Sequence, residues 1–176
     1  MTYKILDTCC FVSFFSDVSS CNMRAVCHEY KMPITNHVAS ELSKQESIHI
    51  PKGFEPIKLE DLDTHSLFTE IRNTFPGLGP GEVSAFTLAA CLNERTDEQI
   101  VMVTDDKKAL RKLSLFRAQE TVLNRYPNLK NVILVRPVDM IRHLFSKGYM
   151  DQVMLSQIIS ELEPDKISGI SDLKAI

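Results

Sequence analysis

The stretch QIVMVTDDKKAL, Gln99 to Leu110, decides the fold. Its unbroken apolar run, Ile100 to Val103, is rich in valine and lacks polar alternation, which describes a strand buried on both faces, as in parallel sheets. Two aspartates, Asp105 and Asp106, end the run, and the charged KKALRKL behind them has helical character. NVILVR, Asn131 to Arg136, repeats the pattern ahead of Pro137. YKILD, Tyr3 to Asp7, is a further short strand, and TCCFVSFF opens a helix after it. Strands alternating with helices predict an α/β three-layer sandwich with a central, mostly parallel sheet. In such sheets ligands bind beyond the carboxyl ends of the strands, where Asp7, Asp105 and Asp106 all fall.

Between the first and second strands the reading gives a helix over Asn22 to Lys31 and another in NHVASELSKQ. In the latter, Thr35 or Asn36 is the N-cap, Val38 and Leu42 form an i,i+4 pair, and Glu41 lies beside the apolar face. SIHIPKGFEPIKLE contains two short extended pieces separated by Pro51 and Gly53, and LDTHSLFTEIRNTF is an amphipathic helix ending at Pro76. Then comes GLGPGEVSAFTLAACLNE, Gly77 to Glu94. Its glycines are expected to let the chain turn tightly into a helix that carries Glu82 in its first turn. Val83, Phe86, Thr87, Ala90 and Cys91 recur at helical spacing, and Ala85, Ala89 and Ala90 permit close packing on a sheet, so this is a core helix. VDMIRHLFSKGYM and DQVMLSQIISELE form a helical hairpin about Gly148 that covers the sheet or faces a partner. ISGISDLKAI reads as a loosely held tail.

At 176 residues, 44% hydrophobic and 24% charged, the chain supports one packed core. A net charge of -3 argues against an electrostatic nucleic-acid binder of the histone or homeodomain kind, while leaving room for a local basic strip. Lys107, Lys108, Arg111, Lys112 and Arg117 form such a run directly after the two aspartates; a solvated helix face is the plainer account of it. The cysteines, Cys9, Cys10, Cys21, Cys27 and Cys91, are odd in number and lack CxxC spacing, which predicts reduced, mostly buried thiols and a cytoplasmic location. The first apolar run is broken by Lys4 and Asp7 and does not read as a signal peptide, and no stretch has transmembrane length, so no membrane partner is expected.

Other chemistries are poorly supported. GLGPGE lacks the last glycine of GxGxxG and follows no strand, no GxSxG turn is present, His37, His65 and His143 are not spaced as a metal set, and His28 after Cys27 is a weak pair. A haloacid-type phosphatase expects an acid two residues after its nucleophile, where this chain has Cys9.

Each acid has a simple structural account. Asp7 and Asp105 can cap helices, Glu82 can complement a helix dipole, and Glu41 can be a solvated helix residue. Together, two strand ends and two helices can bring them to one edge of the sheet. Carboxylates gathered without cations repel one another and their pKa values rise, so such a cluster calls for a metal. All-oxygen donors suit Mg²⁺ or Mn²⁺.

In order along the chain, ILDTCCFVSFF, ITNHVASELSK, GLGPGEVSAFTLAA and IVMVTDDKKAL resemble the PIN domain, the metal-dependent nuclease fold of VapC-type toxins and related ribonucleases. The resemblance covers roughly residues 3 to 137. It implies a PIN-like nuclease domain over residues 1–137, with 138–176 as a helical extension packed on the same domain. It matches Asp7 with Thr8 to the first motif, Glu41 to the second, Glu82 to the LGxGE variant of the third, and Thr104 with Asp105 or Asp106 to the fourth, Asp106 being the commoner match. The implied activity is hydrolysis of RNA phosphodiesters with one or two Mg²⁺ or Mn²⁺ ions held by Asp7, Glu41, Glu82 and an Asp105/Asp106 carboxylate. Thr8 and Thr104 would fix neighbouring carboxylates through their hydroxyls, and Lys107, Lys108, Arg111 and Lys112 would grip phosphates. A toxin reading adds an antitoxin or other regulatory protein as partner, and the C-terminal hairpin offers a homodimer surface. The alternative is a catalytically silent PIN-like scaffold that binds RNA or protein.

Overall fold

The computed structural model describes residues 3–14, 31–44, 62–96, 99–162 and 167–176. The helix expected over Asn22 to Lys31, save Lys31 itself, and the extended pieces between Ser47 and Glu60 lie outside these residues, as do Cys21, Cys27 and His28.

The frame is an all-parallel sheet of β1 (Tyr3–Leu6), β2 (Ile100–Val103) and β3 (Val132–Val135) in that spatial order. Tyr3 pairs with Ile100 and Leu6 with Val103, while Ile100 pairs with Val132 and Val103 with Val135. Lys31 adds a single parallel bridge to Tyr3. All four residues of β2 are buried, as its apolar run requires.

Strand alternation sends side chains to two separate apolar cores. On one face Ile5, Ile100, Met102 and Val132 meet α3 (Ser66–Thr74), α4 (Pro80–Asn93), α5 (Lys107–Arg117) and α6 (Glu120–Arg125). On the other, Leu6, Val101 and Val103 meet α1 (Thr8–Val12), α2 (Asn36–Leu42), α7 (Pro137–Ser146) and α8 (Gln152–Leu162). The expected α/β architecture is therefore present, with helices packed on both sides of the sheet. α7 and α8 both join the core on the Leu6 face of the sheet, through Val138, Ile141, Leu155 and Ile158. No helix among the described residues is long and apolar enough to cross a membrane.

Local chemistry accounts for the element boundaries. Thr35 caps α2 by accepting the Val38 N–H at 3.2 Å, an interaction worth about 1 kcal/mol. α3 starts at Ser66, later than its pattern implied, because residues 62–64 form a turn and His65 takes the cap. α4 is buried continuously from Val83 to Cys91, the core helix expected from its small and apolar residues. Its Pro80 sits in the first turn, where a missing N–H costs nothing. α6, followed by a 3-10 turn over Pro127–Asn131, has no counterpart in the sequence reading.

The tail needs correction. It is not loosely held: Ile167, Ile170 and Leu173 are buried in the core beneath α7 and α8, and Ile170–Ala175 forms a 3-10 helix. Ile170 and Leu173, three residues apart, share one side of that helix, and Ile167 is buried just ahead of it.

Candidate functional site

The parallel register sets the acids at the carboxyl edge. The Asp7 backbone N–H donates to the Val103 carbonyl at 3.1 Å, and that of Thr104 to the Val135 carbonyl at 3.1 Å, so the ends of β1 and β2 lie side by side. Asp7 is only 2% exposed. Its Oδ1 accepts the Cys10 N–H at 2.8 Å and caps α1, and the Thr104 hydroxyl also donates to its carboxylate. Burial raises the Asp7 pKa, these two hydrogen bonds oppose the rise, and the nearby Asp105 charge adds to it.

Glu41 reaches the site from α2, where its Oε2 accepts the Thr8 hydroxyl proton. α2 is itself held against α4 by a buried 2.7 Å hydrogen bond between the Thr35 and Ser84 hydroxyls. Glu82 enters from the first turn of α4. Burial raises its pKa; its own backbone N–H opposes this, and Asp7, Asp106 and Glu41 push it further up.

The glycines of GLGPGE act differently from the expectation. Among the described residues only Gly148 and Gly169 have positive φ; Gly79 has φ -66°, which any residue adopts. What Gly79 and Gly81 supply is space. A Cβ on Gly79 would overlap the Glu82 carboxylate, and one on Gly81 would stand 2.8 Å from Glu41 Oε2 and 3.1 Å from Thr8 Oγ1. Each glycine leaves room for one carboxylate.

The two aspartates after β2 part company. Asp106 caps α5, its Oδ1 accepting the Lys108 and Ala109 N–H groups at 2.7 and 3.0 Å, while its own N–H donates to Thr104 Oγ1 at 3.2 Å. Asp105 caps no helix. Its Oδ2 accepts the Ser168 N–H at 2.8 Å, and its buried Oδ1 has no hydrogen-bond partner.

One side chain registers the gathering of acids. Cys9, an exposed thiol, is pushed up in pKa first by partial burial and then by the charges of Asp7, Glu82, Glu41 and Asp106. These four carboxylates therefore share one neighbourhood, with Asp105 beside Asp7. Among the described residues no Lys, Arg or His forms an ion pair with any of them. Nor does any group of three or more His, Cys, Asp or Glu among the described residues form a ready-made ion cage. Asp7 and Asp106 accept from N–H groups of the helices they cap, Glu41 from the Thr8 hydroxyl and Asp105 from the Ser168 N–H.

The basic run divides. Lys107, Lys108 and Arg111 are exposed along α5, whereas Lys112 lies with Nζ 5.5 Å from the centre of the Phe75 ring and Arg117 donates to the Val132 carbonyl. Among the described residues, His37 pairs with Asp63 and stacks on Phe68, and His65 caps α3. Cys10 and Cys91 are free and buried. The turn before α4 joins helix to helix, unlike the strand-to-helix turn of a dinucleotide site. The chain matches no protein-family model, no curated protein and no solved structure.

Proposed function

We propose that this chain is a PIN-like, divalent-metal-dependent nuclease that hydrolyses RNA phosphodiesters. The observation that carries the reading is the convergence of Asp7, Glu41, Glu82 and Asp106 around Cys9, with no cationic side chain among the described residues paired to them. Like charges gathered around one buried and two half-buried carboxylates are costly, and a fold retains them where a ligand of opposite charge offsets the repulsion. The donor set fits a hard ion: every candidate ligand is a carboxylate, and the buried Oδ1 of Asp105, whose charge also acts on Arg136, is a further oxygen without a hydrogen-bond partner among the described residues.

Asp7, Glu41, Glu82 and the Asp105/Asp106 pair are the residues that would hold Mg²⁺ or Mn²⁺. Such an ion, when bound, activates water and stabilises the oxygen that leaves the phosphodiester. The chain's own contributions are positional. Thr104 orients Asp7, Thr8 orients Glu41, and the two vacated glycine positions let Glu41 and Glu82 face the strand ends. Lys107, Lys108 and Arg111 offer exposed charge to phosphates beside the scissile bond. A cytoplasmic setting and a regulatory protein partner, an antitoxin in the toxin reading, belong to this proposal, as does a homodimer.

The runner-up is a PIN-like scaffold that binds RNA or protein without cutting. It draws on the lack, among the described residues, of a ready-made ion cage. End-labelled single-stranded RNA incubated with Mn²⁺ or Mg²⁺ decides between them, with wild type, Asp7→Asn and Glu82→Gln in parallel preparations. Metal-dependent cutting lost in both variants supports the nuclease. A silent wild type with no Mn²⁺-induced rise in melting temperature supports the scaffold, and cutting that survives both substitutions places the chemistry elsewhere.

A further inference from the structure

The acid site has one neighbour that the sequence motifs do not include. Residues 167–176 return to the carboxyl edge of the sheet, anchored by the buried Ile167, Ile170 and Leu173. Gly169 takes φ +80°, a conformation cheap only for glycine, at the start of the 3-10 helix, and the residue before it, Ser168, aims its N–H at Asp105 Oδ2 at 2.8 Å. This bond fixes the rotation of the Asp105 carboxylate and leaves Oδ1 buried without a hydrogen-bond partner among the described residues, while the charge of Asp105 also acts on Arg136. A buried acceptor without a hydrogen-bond partner is destabilising, and native structures keep such atoms where a water, an ion or a ligand completes them.

We infer that the backbone N–H of Ser168 positions Asp105 so that its free oxygen faces the divalent ion, which makes the segment Ile167–Ile176 part of the cation site. The inference rests on the metal-dependent reading above. Ser168 is a positioning residue: it acts through Asp105 and touches no substrate. The Ser168 bond and the ion engage opposite oxygens of one carboxylate, so the orientation that either one fixes is the orientation the other needs. Cation binding and docking of the segment are thereby coupled, and the coupling is reciprocal.

The test uses the full chain and Mn²⁺ alone, with free Mn²⁺ followed by electron paramagnetic resonance. Ser168→Pro removes the N–H and sets ring carbons against Asp105, whereas Ser168→Ala keeps the bond. The expected result is an affinity about tenfold weaker for Ser168→Pro, the usual scale for loss of a group that orients a ligand, and within about twofold of wild type for Ser168→Ala. Wild-type affinity in Ser168→Pro overturns the positioning role and leaves the metal reading standing. No Mn²⁺ binding by the wild type overturns both. Should the proline variant fail to fold, hydrogen exchange on the wild type decides: Mn²⁺ is expected to slow the Ser168 amide, and an unchanged Ser168 rate in protein that binds Mn²⁺ overturns the inference. A metal-free comparison adds a separate check, since Asp105→Ala is expected to speed exchange at Ser168, and no change there also overturns it.

Discussion

The Glu41 carboxylate occupies the space that a side chain at Gly81 would fill, with Oε2 2.8 Å from the place of a Cβ. The obstacle is the far end of a flexible side chain and not backbone, so an added methyl would be accommodated by moving Glu41. Alanine also favours a helix over glycine by up to about 1 kcal/mol. Gly81→Ala is therefore expected to melt within about 3 °C of wild type while cutting RNA about tenfold to a hundredfold more slowly, the scale of loss from a small misplacement in a site. Thermal melts and single-turnover cleavage check the two halves, and unimpaired cleavage would remove Glu41 from the mechanism.

Asp7 and Glu82 make the metal-free protein sensitive to pH. Both have folded-state pKa values above their ordinary 3.8 and 4.5, chiefly through burial. A group shifted this way stabilises the fold fully below its unfolded pKa, and that contribution is lost as pH rises through the folded value. In chelator, stability is expected to fall from about pH 4 upward as the two groups ionise. Asp7→Asn keeps the Oδ1 that accepts the Cys10 N–H and removes the charge. It is expected to flatten this dependence and to raise the metal-free melting temperature at neutral pH by about 2–4 °C, the equivalent of ~1 kcal/mol in a chain of this size. Melts of both proteins across this pH range measure it, and a steeper fall in Asp7→Asn would contradict the assignment.

The exposed and the engaged cations of α5 are expected to behave differently. Lys107→Ala, Lys108→Ala and Arg111→Ala should each weaken RNA binding and lower the salt slope of log K by about 1 without altering the fold. Lys112 packs on Phe75 and Arg117 holds the Val132 carbonyl, so their loss should register in stability first. Binding isotherms at several salt concentrations, set beside melts, separate the groups; an unchanged slope in all three exposed variants would mark the run as a solvated face.

What the sequence made legible follows from how local each signal is. β2 could be read because both its faces are buried and its run is wholly apolar, and the α2 cap because Thr35 stands directly ahead of an apolar pair. The placing of Asp7, Asp105 and Asp106 at strand ends followed from the parallel pattern alone. The division of labour between Asp105 and Asp106 could not be read, since it depends on Ser168, far along the chain. The role of Gly79 and Gly81 was hidden for a related reason. A glycine that serves a turn and one that vacates space look alike in sequence, and the latter shows only when Glu82 and Glu41 are seen over them. The docked tail did carry a signal, apolar Ile167, Ile170 and Leu173 at steps of three, of which the last two share one side of the 3-10 helix.

That spacing yields the last prediction. Leu173 is 1% exposed within the core that also holds Ile158, Leu162 and Val138, so truncation to alanine removes buried apolar contact and leaves a cavity. Leu173→Ala is expected to cost about 2–4 kcal/mol in urea denaturation, as buried Leu→Ala changes do, whereas Lys174→Ala at the exposed neighbouring position should cost under about 0.5 kcal/mol. The magnitude tells a docked segment from a frayed one, because a loosely held residue loses almost nothing when shortened. If the two variants unfold at the same urea concentration as wild type, the segment does not contribute to the core, and Ser168 could not then hold Asp105 in place.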